Sequence, residues 1–396
     1  MTTVVGGVYD EYCIEPYWDD VYGSGGRAAA ALSTAIPDLR LVTYCAQSLK
    51  DGLENLKAAY RIAISGISTH DGICFEYVHS LSVPRITPRP DAIQKHGELS
   101  VEDDVVLRFG MMEGSAHVKA KRAVYDPQSA FDPRPFGENG SNADTLALIL
   151  NRAEAHCLTD ETDTDAMARK LISNGEASVV VLKLGGHGAL VATKEGSDVI
   201  PAYKSQSVWK IGSGDVFSAA FTLYWAVEHK DPTQAADLAS RATSHYCGTR
   251  ALPIPPADIL CSELTEPVRP GSGQVYIAAP FFDLGEQWLV EEARTHLLKM
   301  GVRVFSPLHD VGIGPASRVT QQDLKGLDES DAVLAILNSG DPGTVFEVGY
   351  AVARGIPVVV LAQNMRPEDL KMPEGSGCRI TQDLVSAIHH AVWSLA

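Results

Sequence analysis

The chain has little of what would tie it to a bilayer, a disulfide framework or a polynucleotide. No stretch approaches the roughly 18 consecutive apolar residues that a membrane-spanning helix needs, so no membrane partner is expected. The start, Met1-Thr2-Thr3-Val4-Val5-Gly6-Gly7, lacks a basic segment followed by an apolar one, and reads as a first strand instead of a signal peptide. A cytoplasmic address is the matching expectation. The seven cysteines are odd in number and never spaced C-x-x-C, which argues against a disulfide scaffold or a thiolate metal site. Positive charge is scarce: 33 Lys and Arg stand against 50 Asp and Glu, a formal net charge of −17. Polymeric nucleic acid is an unsuitable partner, since binding it relies on clustered cations that release counterions. Small nucleotides remain admissible, because a nest of backbone N–H groups can hold a phosphate inside an acidic protein.

What is present describes a globular α/β protein of two domains. A length of 396 residues exceeds one ordinary core, and 45% hydrophobic with 21% charged residues is a soluble composition. Proline and glycine crowd the segment from Leu252-Pro253-Ile254-Pro255-Pro256 to Gly271-Ser272-Gly273. That places one domain at 1–255, a linker at 256–273 and a second domain at 274–396. Before the linker, β-branched runs such as Ser178-Val179-Val180-Val181-Leu182 alternate with helical patterns such as 215–229, which predicts a mostly parallel sheet covered by helices. After it, strands at 275–278, 302–305, 332–336 and 357–361 alternate with helices near 285–299, 320–329, 344–354 and 381–395. This is the pattern of a doubly wound domain.

In the second domain, Asp341-Pro342-Gly343-Thr344-Val345-Phe346-Glu347 follows a buried strand and opens a helix, at the sheet edge where open α/β folds bind ligands. Taken alone, Thr344-x-x-Glu347 is also a capping box with Thr344 as N-cap. The wider sequence resembles the nucleoside 2-deoxyribosyltransferase family over 274–396, through Val275-Tyr276-Ile277-Ala278-Ala279-Pro280-Phe281-Phe282, Gln287, Asp323-Leu324, the six-residue step from Asp341 to Glu347, and Gly349-Tyr350-Ala351. The resemblance implies a doubly wound, flavodoxin- or Rossmann-like domain that needs no cofactor. It also implies Glu347 as nucleophile in its first helical turn, Tyr276 beside it and Asp323 as proton donor to the nucleobase. Phe281 and Phe282 would stack on the base, and Asp341 would bind the sugar 5′-hydroxyl. Plain core packing is the alternative for the two phenylalanines. The chemistry suits these residue types: breaking an N-glycosidic bond builds positive charge at the anomeric carbon, which a carboxylate stabilises and then bonds.

In the first domain, Lys210-Ile211-Gly212-Ser213-Gly214-Asp215 precedes a long apolar helix, so its glycines can present amides to a phosphate. With Val180-Val181-Leu182-Lys183-Leu184-Gly185-Gly186-His187-Gly188-Ala189, Asn151-Arg152-Ala153-Glu154 and Asp126-Pro127, it resembles the ribokinase-like (PfkB) sugar and nucleoside kinases. The resemblance implies ATP and Mg²⁺, with Asp215 as base and Gly212, Ser213, Gly214, Gly186 and Gly188 on the phosphates. Asn151 and Glu154 would lie near the metal, although the same pair can simply cap a helix. On the acceptor side, Asp10 or Glu11 stands for the aspartate expected on the first strand. In Gly25-Gly26-Arg27-Ala28-Ala29-Ala30, alanine stands where asparagine is expected, and residues 1–150 are short for a full lid. The expectation is an oligomeric two-activity enzyme acting on small nucleosides and sugars. Its rival is a nucleoside glycosidase controlled by an inactive, ligand-sensing kinase-like domain.

Overall fold

The computed structural model describes residues 1–129, 132–263, 265–269, 271–338 and 340–395. It divides into two compact units, Met1–Ser205 with Trp209–Pro267, and Gln206–Val208 with Val268–Ala396. The segment expected to be a linker is narrower than its composition suggests. Residues Ala257–Ser262 form a helix whose Leu260 is buried in the first unit's core. Leu264 and Pro270 of that segment lie outside the described residues.

Among the described residues the first unit contains thirteen strands. They are β1 (Thr2–Val5), β2 (Asp10–Cys13), β3 (Trp18–Val21), β4 (Leu39–Ala46), β5 (Ala63–Thr69), β6 (Cys74–Tyr77) and β7 (Arg85–Thr87). There follow β8 (Leu99–Phe109), β9 (Ala116–Asp126), β10 (Asn142–Asn151), β11 (Val179–Lys183), β12 (Ala189–Ala192) and β13 (Ser197–Ile200). Nine form one sheet in the order β13-β12-β11-β10-β9-β8-β1-β4-β5, parallel except at β12 and β13. The other four form a small sheet, β3-β2-β6-β7. Successive side chains of a strand face opposite sides, so Val4 and Val5 enter different cores. One core is sealed by α1 (Gly23–Leu32) and, later in the chain, by the helices Ser213–Phe221 and Pro232–Thr249.

The other face is closed in an unexpected way. Strands β8 and β9 pair in parallel from Leu99↔Ala116 to Phe109↔Asp126, yet only residues 110–115 join them. Eleven straight residues span about 35 Å, further than a six-residue link can retrace. Each strand must therefore fold back on itself. Consistent with this, β8 pairs with β1 only from Val105 onward, while Tyr44 near the end of β4 donates its hydroxyl toward the carbonyls of Gly97 and Ser115. The returning arms put Leu99, Val101 and Val118 into the same core as Val106 and Ala123.

The remaining helices of this unit are α2 (Lys50–Tyr60), α3 (Arg152–Thr159), α4 (Thr164–Ser173), α5 (Ser213–Phe221), α6 (Pro232–Thr249) and α7 (Ala257–Ser262). The second unit has β14 (Gln274–Ala278), α8 (Leu284–Lys299), β15 (Arg303–Phe305), α9 (Ala316–Asp328), β16 (Ala332–Ile336), α10 (Pro342–Ala353), β17 (Val358–Leu361), α11 (Pro367–Gly375), β18 (Arg379–Thr381) and α12 (Leu384–Trp393). Its five strands are all parallel, in the order β15-β14-β16-β17-β18. This is the flavodoxin-like 2-1-3-4-5 arrangement, with its ligand crevice at the carboxyl ends of the central strands. Helix α11 and strand β18 were absent from the sequence expectation. Among the described residues no helix is long and apolar enough to cross a membrane.

Candidate active sites

Strand β14 delivers Tyr276, fully buried and stacked on Phe305 with ring centroids 5.3 Å apart. Its hydroxyl donates to Glu347 Oε1 at 2.7 Å. Helix α10, which carries Glu347, begins one turn earlier than the capping-box reading had it. Its N-cap is Asp341, whose Oδ2 accepts from the Thr344 amide at 2.8 Å and the Thr344 hydroxyl at 3.1 Å, with Pro342 at N1. Proline is preorganised for that first helical position and has no amide to satisfy there. Two expectations are corrected: Thr344 is not the N-cap, and Glu347 lies in the second turn, where the helix dipole acts weakly. Burial instead lifts the Glu347 carboxyl to about 7; the Tyr276 hydrogen bond opposes the shift, and Asp323 and Asp341 add to it.

Asp323, from α9, completes an acidic cluster with Glu347 and Asp341. Burial raises its pKa, and its Oδ1 is buried with no hydrogen-bond partner. An unpaired buried acceptor is destabilising unless a ligand completes it. Phe281 and Phe282 stack on one another at 5.6 Å, and Phe282 is 74% exposed, so it is not core packing. Helix α8 pins their loop: the Phe282 amide donates to Glu286 and Gln287 donates to the Phe281 carbonyl. Asp331 has a structural part, its carboxylate accepting from the Gln274 amide at 2.8 Å.

In the first unit, α5 starts at Gly212, which has φ +74° and no side-chain cap. A Cβ on Gly212 would lie 2.1 Å from Arg27 Nε, so both the backbone and the packing require glycine. At Gly188, with φ +83°, a Cβ would fall 1.9 Å from the Ile200 carbonyl, whereas Gly186 lies in an open turn. Asp215, in the first turn of α5, is 8% exposed, and burial raises its pKa to about 6 against the pull of Arg27. Both its oxygens are engaged, Oδ2 by Arg27 at 3.1 Å and Oδ1 by Gln128 at 2.6 Å.

The arginine is the organiser here. Fully buried, it forks onto Glu11, reaches Asp215 and donates from Nε to Tyr246 at 3.0 Å. Glu11 also accepts from the Gly23 amide, so the acceptor-side acid brought to Asp215 is Glu11. Asp10 turns elsewhere, toward Cys74. Asn151 and Glu154 form a full capping box on α3, which gives both a structural role. Glu154 is nonetheless buried, and burial and then Asp126 raise its pKa. Asp126 accepts from Lys183 at 2.5 Å and Ser218 at 2.8 Å through Oδ2, while its Oδ1 is buried without a partner. Lys183 Nζ lies 3.5 Å from where a Cβ of Gly214 would be. Arg27, Lys183 and Gln128 carried no role in the sequence reading. A single charge in an alanine-rich helix, and a lysine ending a Val-Val-Val-Leu strand, are signals that such a side chain has a buried partner.

Comparison with known proteins divides the chain at the same place. Residues 138–252 match the pfkB family carbohydrate kinase model, and residues 275–381 match the nucleoside 2-deoxyribosyltransferase model. Over 143 residues, 36% of the chain, it is 30% identical to an ATP-dependent ribose-1-phosphate kinase of Halopiger xanaduensis. Over 66 residues, 17% of the chain, it is 39% identical to an ATP-dependent 6-phosphofructokinase isozyme 2 of Mycobacterium tuberculosis. The chain spans 46% and 20% of the lengths of these two relatives. The solved structure of a ribokinase from Giardia lamblia superposes with a TM-score of 0.50 at 14% identity, covering 66% of this chain and 97% of that one, a likeness of fold. The chain therefore joins a pfkB-family carbohydrate kinase region to a nucleoside 2-deoxyribosyltransferase-family region.

Proposed function

We propose that the protein is a bifunctional enzyme of nucleoside metabolism, in which the second unit cleaves or exchanges the N-glycosidic bond and the first transfers the γ-phosphate of ATP to a sugar or nucleoside hydroxyl. The observation that carries the reading is the contact of Tyr276 with Glu347, set beside the unpartnered Asp323 Oδ1. Ionised Glu347 attacks the anomeric carbon as the bond to the base breaks, giving a covalent glycosyl-enzyme. Asp323, whose partly buried setting favours the protonated form, gives its proton to the departing base. Water or a second base then takes the sugar. The side chains that act on Glu347 are a phenol and two acids with no cation among them, which suits a reaction whose transition state is cationic. Asp341 keeps acceptor capacity beyond its capping bonds for a sugar hydroxyl, and its charge disfavours a phosphate, so free nucleosides are the substrates.

For the kinase unit, Asp215 is the base that takes the acceptor proton, and the amides at the start of α5 receive the transferred phosphoryl group. Four buried acids, Glu11, Asp126, Glu154 and Asp215, face two cations, the buried Arg27 and the half-buried Lys183. That surplus, with the orphaned Asp126 Oδ1, fits a divalent cation arriving with ATP and held by Asp126 and Glu154. Bound Mg²⁺ would neutralise the phosphates. Arg27 makes an anionic sugar an acceptor worth testing, and the ribose-1-phosphate kinase named above adds that compound to the panel.

Incubation with a nucleoside panel, ribose and ribose 1-phosphate, with and without Mg·ATP, followed by chromatography, tests both activities. Base release that requires Glu347 and ATP consumption that requires Asp215 are expected. Cleavage of 5′-monophosphates alone would refute the role of Asp341. One observation favours the second reading, an inactive sensing kinase unit: both oxygens of Asp215 are already engaged. Ligand binding without ATP consumption on any acceptor of the panel would establish it.

A further inference from the structure

The two side chains that bond Asp215 differ in how firmly they are held. Arg27 is 1% exposed, and its guanidinium is fixed by Glu11, by Tyr246 and by the close packing of Gly212. Gln128 is exposed, and its amide reaches in from the turn after β9 to donate to Asp215 Oδ1 at 2.6 Å. That contact is its one side-chain hydrogen bond among the described residues. The backbone just before it is anchored. The Gly110 amide donates to the Asp126 carbonyl at 2.9 Å, and a Cβ on Gly110 would fall 1.9 Å from the Pro127 carbonyl oxygen. Gln128 itself has φ +50°. A residue with a Cβ enters this left-handed region at a cost, and such residues gather at functional sites.

Asp215 is 8% exposed, so it has almost no open surface on which a hydroxyl could settle. Oδ2 faces Arg27, whose charge makes that oxygen the poorer proton acceptor. Oδ1 faces a neutral amide. A general base lies about 2.6 to 3.2 Å from the atom whose proton it takes, so the Gln128 nitrogen stands where a reacting hydroxyl would stand. Of the two donors, only the neutral, exposed one is exchangeable. Withdrawing Arg27 would leave buried charges unpaired, whereas a released Gln128 amide is hydrated by solvent.

We propose that Gln128 is a positioning residue of the kinase unit, which holds the acceptor's place on Asp215 Oδ1 and is displaced when the acceptor hydroxyl binds. The inference rests on the reading of Asp215 as the base. Until the acceptor arrives, the amide keeps water from that oxygen. Without the amide, a water gives its proton to Oδ1 as its oxygen bonds to the γ-phosphorus of ATP. The bond from that phosphorus to the β–γ bridging oxygen breaks, and ADP and inorganic phosphate leave. Gln128 thereby ties ATP consumption to the presence of an acceptor. The doubly engaged Asp215 is then the resting state of an active kinase unit and not the mark of a silent one.

Steady-state kinetics of the full chain with Mg·ATP, with and without ribose, ribose 1-phosphate or a nucleoside as acceptor, tests this. Gln128→Leu keeps the bulk and removes the donor. Gln128→Gly also suits the left-handed backbone, and guards against misfolding of the first variant. Loss of a hydrogen bond to a charged group is expected to raise acceptor-free ATP hydrolysis about tenfold or more, and to lower the acceptor KM by a similar factor. Adding Asp215→Asn to either variant should abolish the extra hydrolysis. A residue that merely shaped the site would do the reverse, raising KM with no leak. Variants that hydrolyse ATP through Asp215 support the latch even where wild type is silent on every acceptor. An unchanged or raised KM without a leak overturns the latch and leaves the kinase reading in place. No ATP turnover in wild type or in either variant overturns that reading and the latch with it.

Discussion

Asp215 in the first unit and Glu347 in the second are both carboxyl groups lifted by burial, to about 6 and about 7, yet their companions differ in kind. Asp215 shares a buried arginine with Glu11 and has both oxygens occupied. Glu347 has one phenol and two other acids. The difference matches what each group must do. A base that takes a proton beside polyphosphate works among compensating cations, whereas a nucleophile that meets a cationic sugar is best left in uncompensated negative surroundings.

The sharpest way to break this comparison is Glu347→Ala. It should lower base release by three orders of magnitude or more, as loss of a covalent nucleophile does, and leave ATP turnover within a factor of about two, read by product chromatography and a coupled ATP assay. Next in size, Asp215→Asn should lower ATP consumption roughly 10²- to 10⁴-fold, the usual span of general-base catalysis, with base release intact. Arg27→Met should destabilise the first unit by about 3 to 5 kcal/mol in urea unfolding, since it strands Glu11 and Asp215 as buried unpaired charges. Tyr276→Phe removes one charge-assisted bond of about 1.5 to 3 kcal/mol, so base release should fall roughly 10- to 150-fold. Its pH profile should also move upward, because the phenol holds the Glu347 pKa down.

The smallest effect is in the pH profiles. Both carboxyls act ionised, so each rate rises with pH, the kinase limb near 6 and the glycosyl-transfer limb near 7. The stability sign is opposite. A carboxyl whose folded pKa is raised binds its proton more tightly in the native state, so its contribution to stability is present below its unfolded value and lost as pH rises through about 7. Glu347→Gln should therefore be inactive yet raise the Tm above pH 7 relative to wild type.

Much of the second unit could be read in advance because its strands are runs of buried Val, Ile, Leu and Ala, the mark of a parallel sheet. What escaped was α11, with no buried residue and Pro373 inside it, and β18, whose three residues Arg379–Thr381 are too few to show a period. The cap at Thr344 was misjudged because Asp341-Pro342 is the stronger start signal. Four candidate site residues, Tyr276, Asp323, Asp341 and Glu347, act on one another in the structure, a grouping that the family resemblance implied. The Arg27 network did not show, since it joins residues 11, 27, 128, 215 and 246 that have no sequence relation. Folded-back strands β8 and β9 were equally hidden, because each arm alternates in the same way a single straight strand would.

The close fit of Arg27 against Gly212 links two positions 185 residues apart in a single permission. No side chain can be tried at 212 while arginine stands at 27, so substitutions there must follow a change at 27 and cannot precede it. A library randomised at both positions should recover side chains at 212 only in clones where 27 has become small, and among them asparagine and aspartate should dominate, because the left-handed backbone at 212 still penalises other residues.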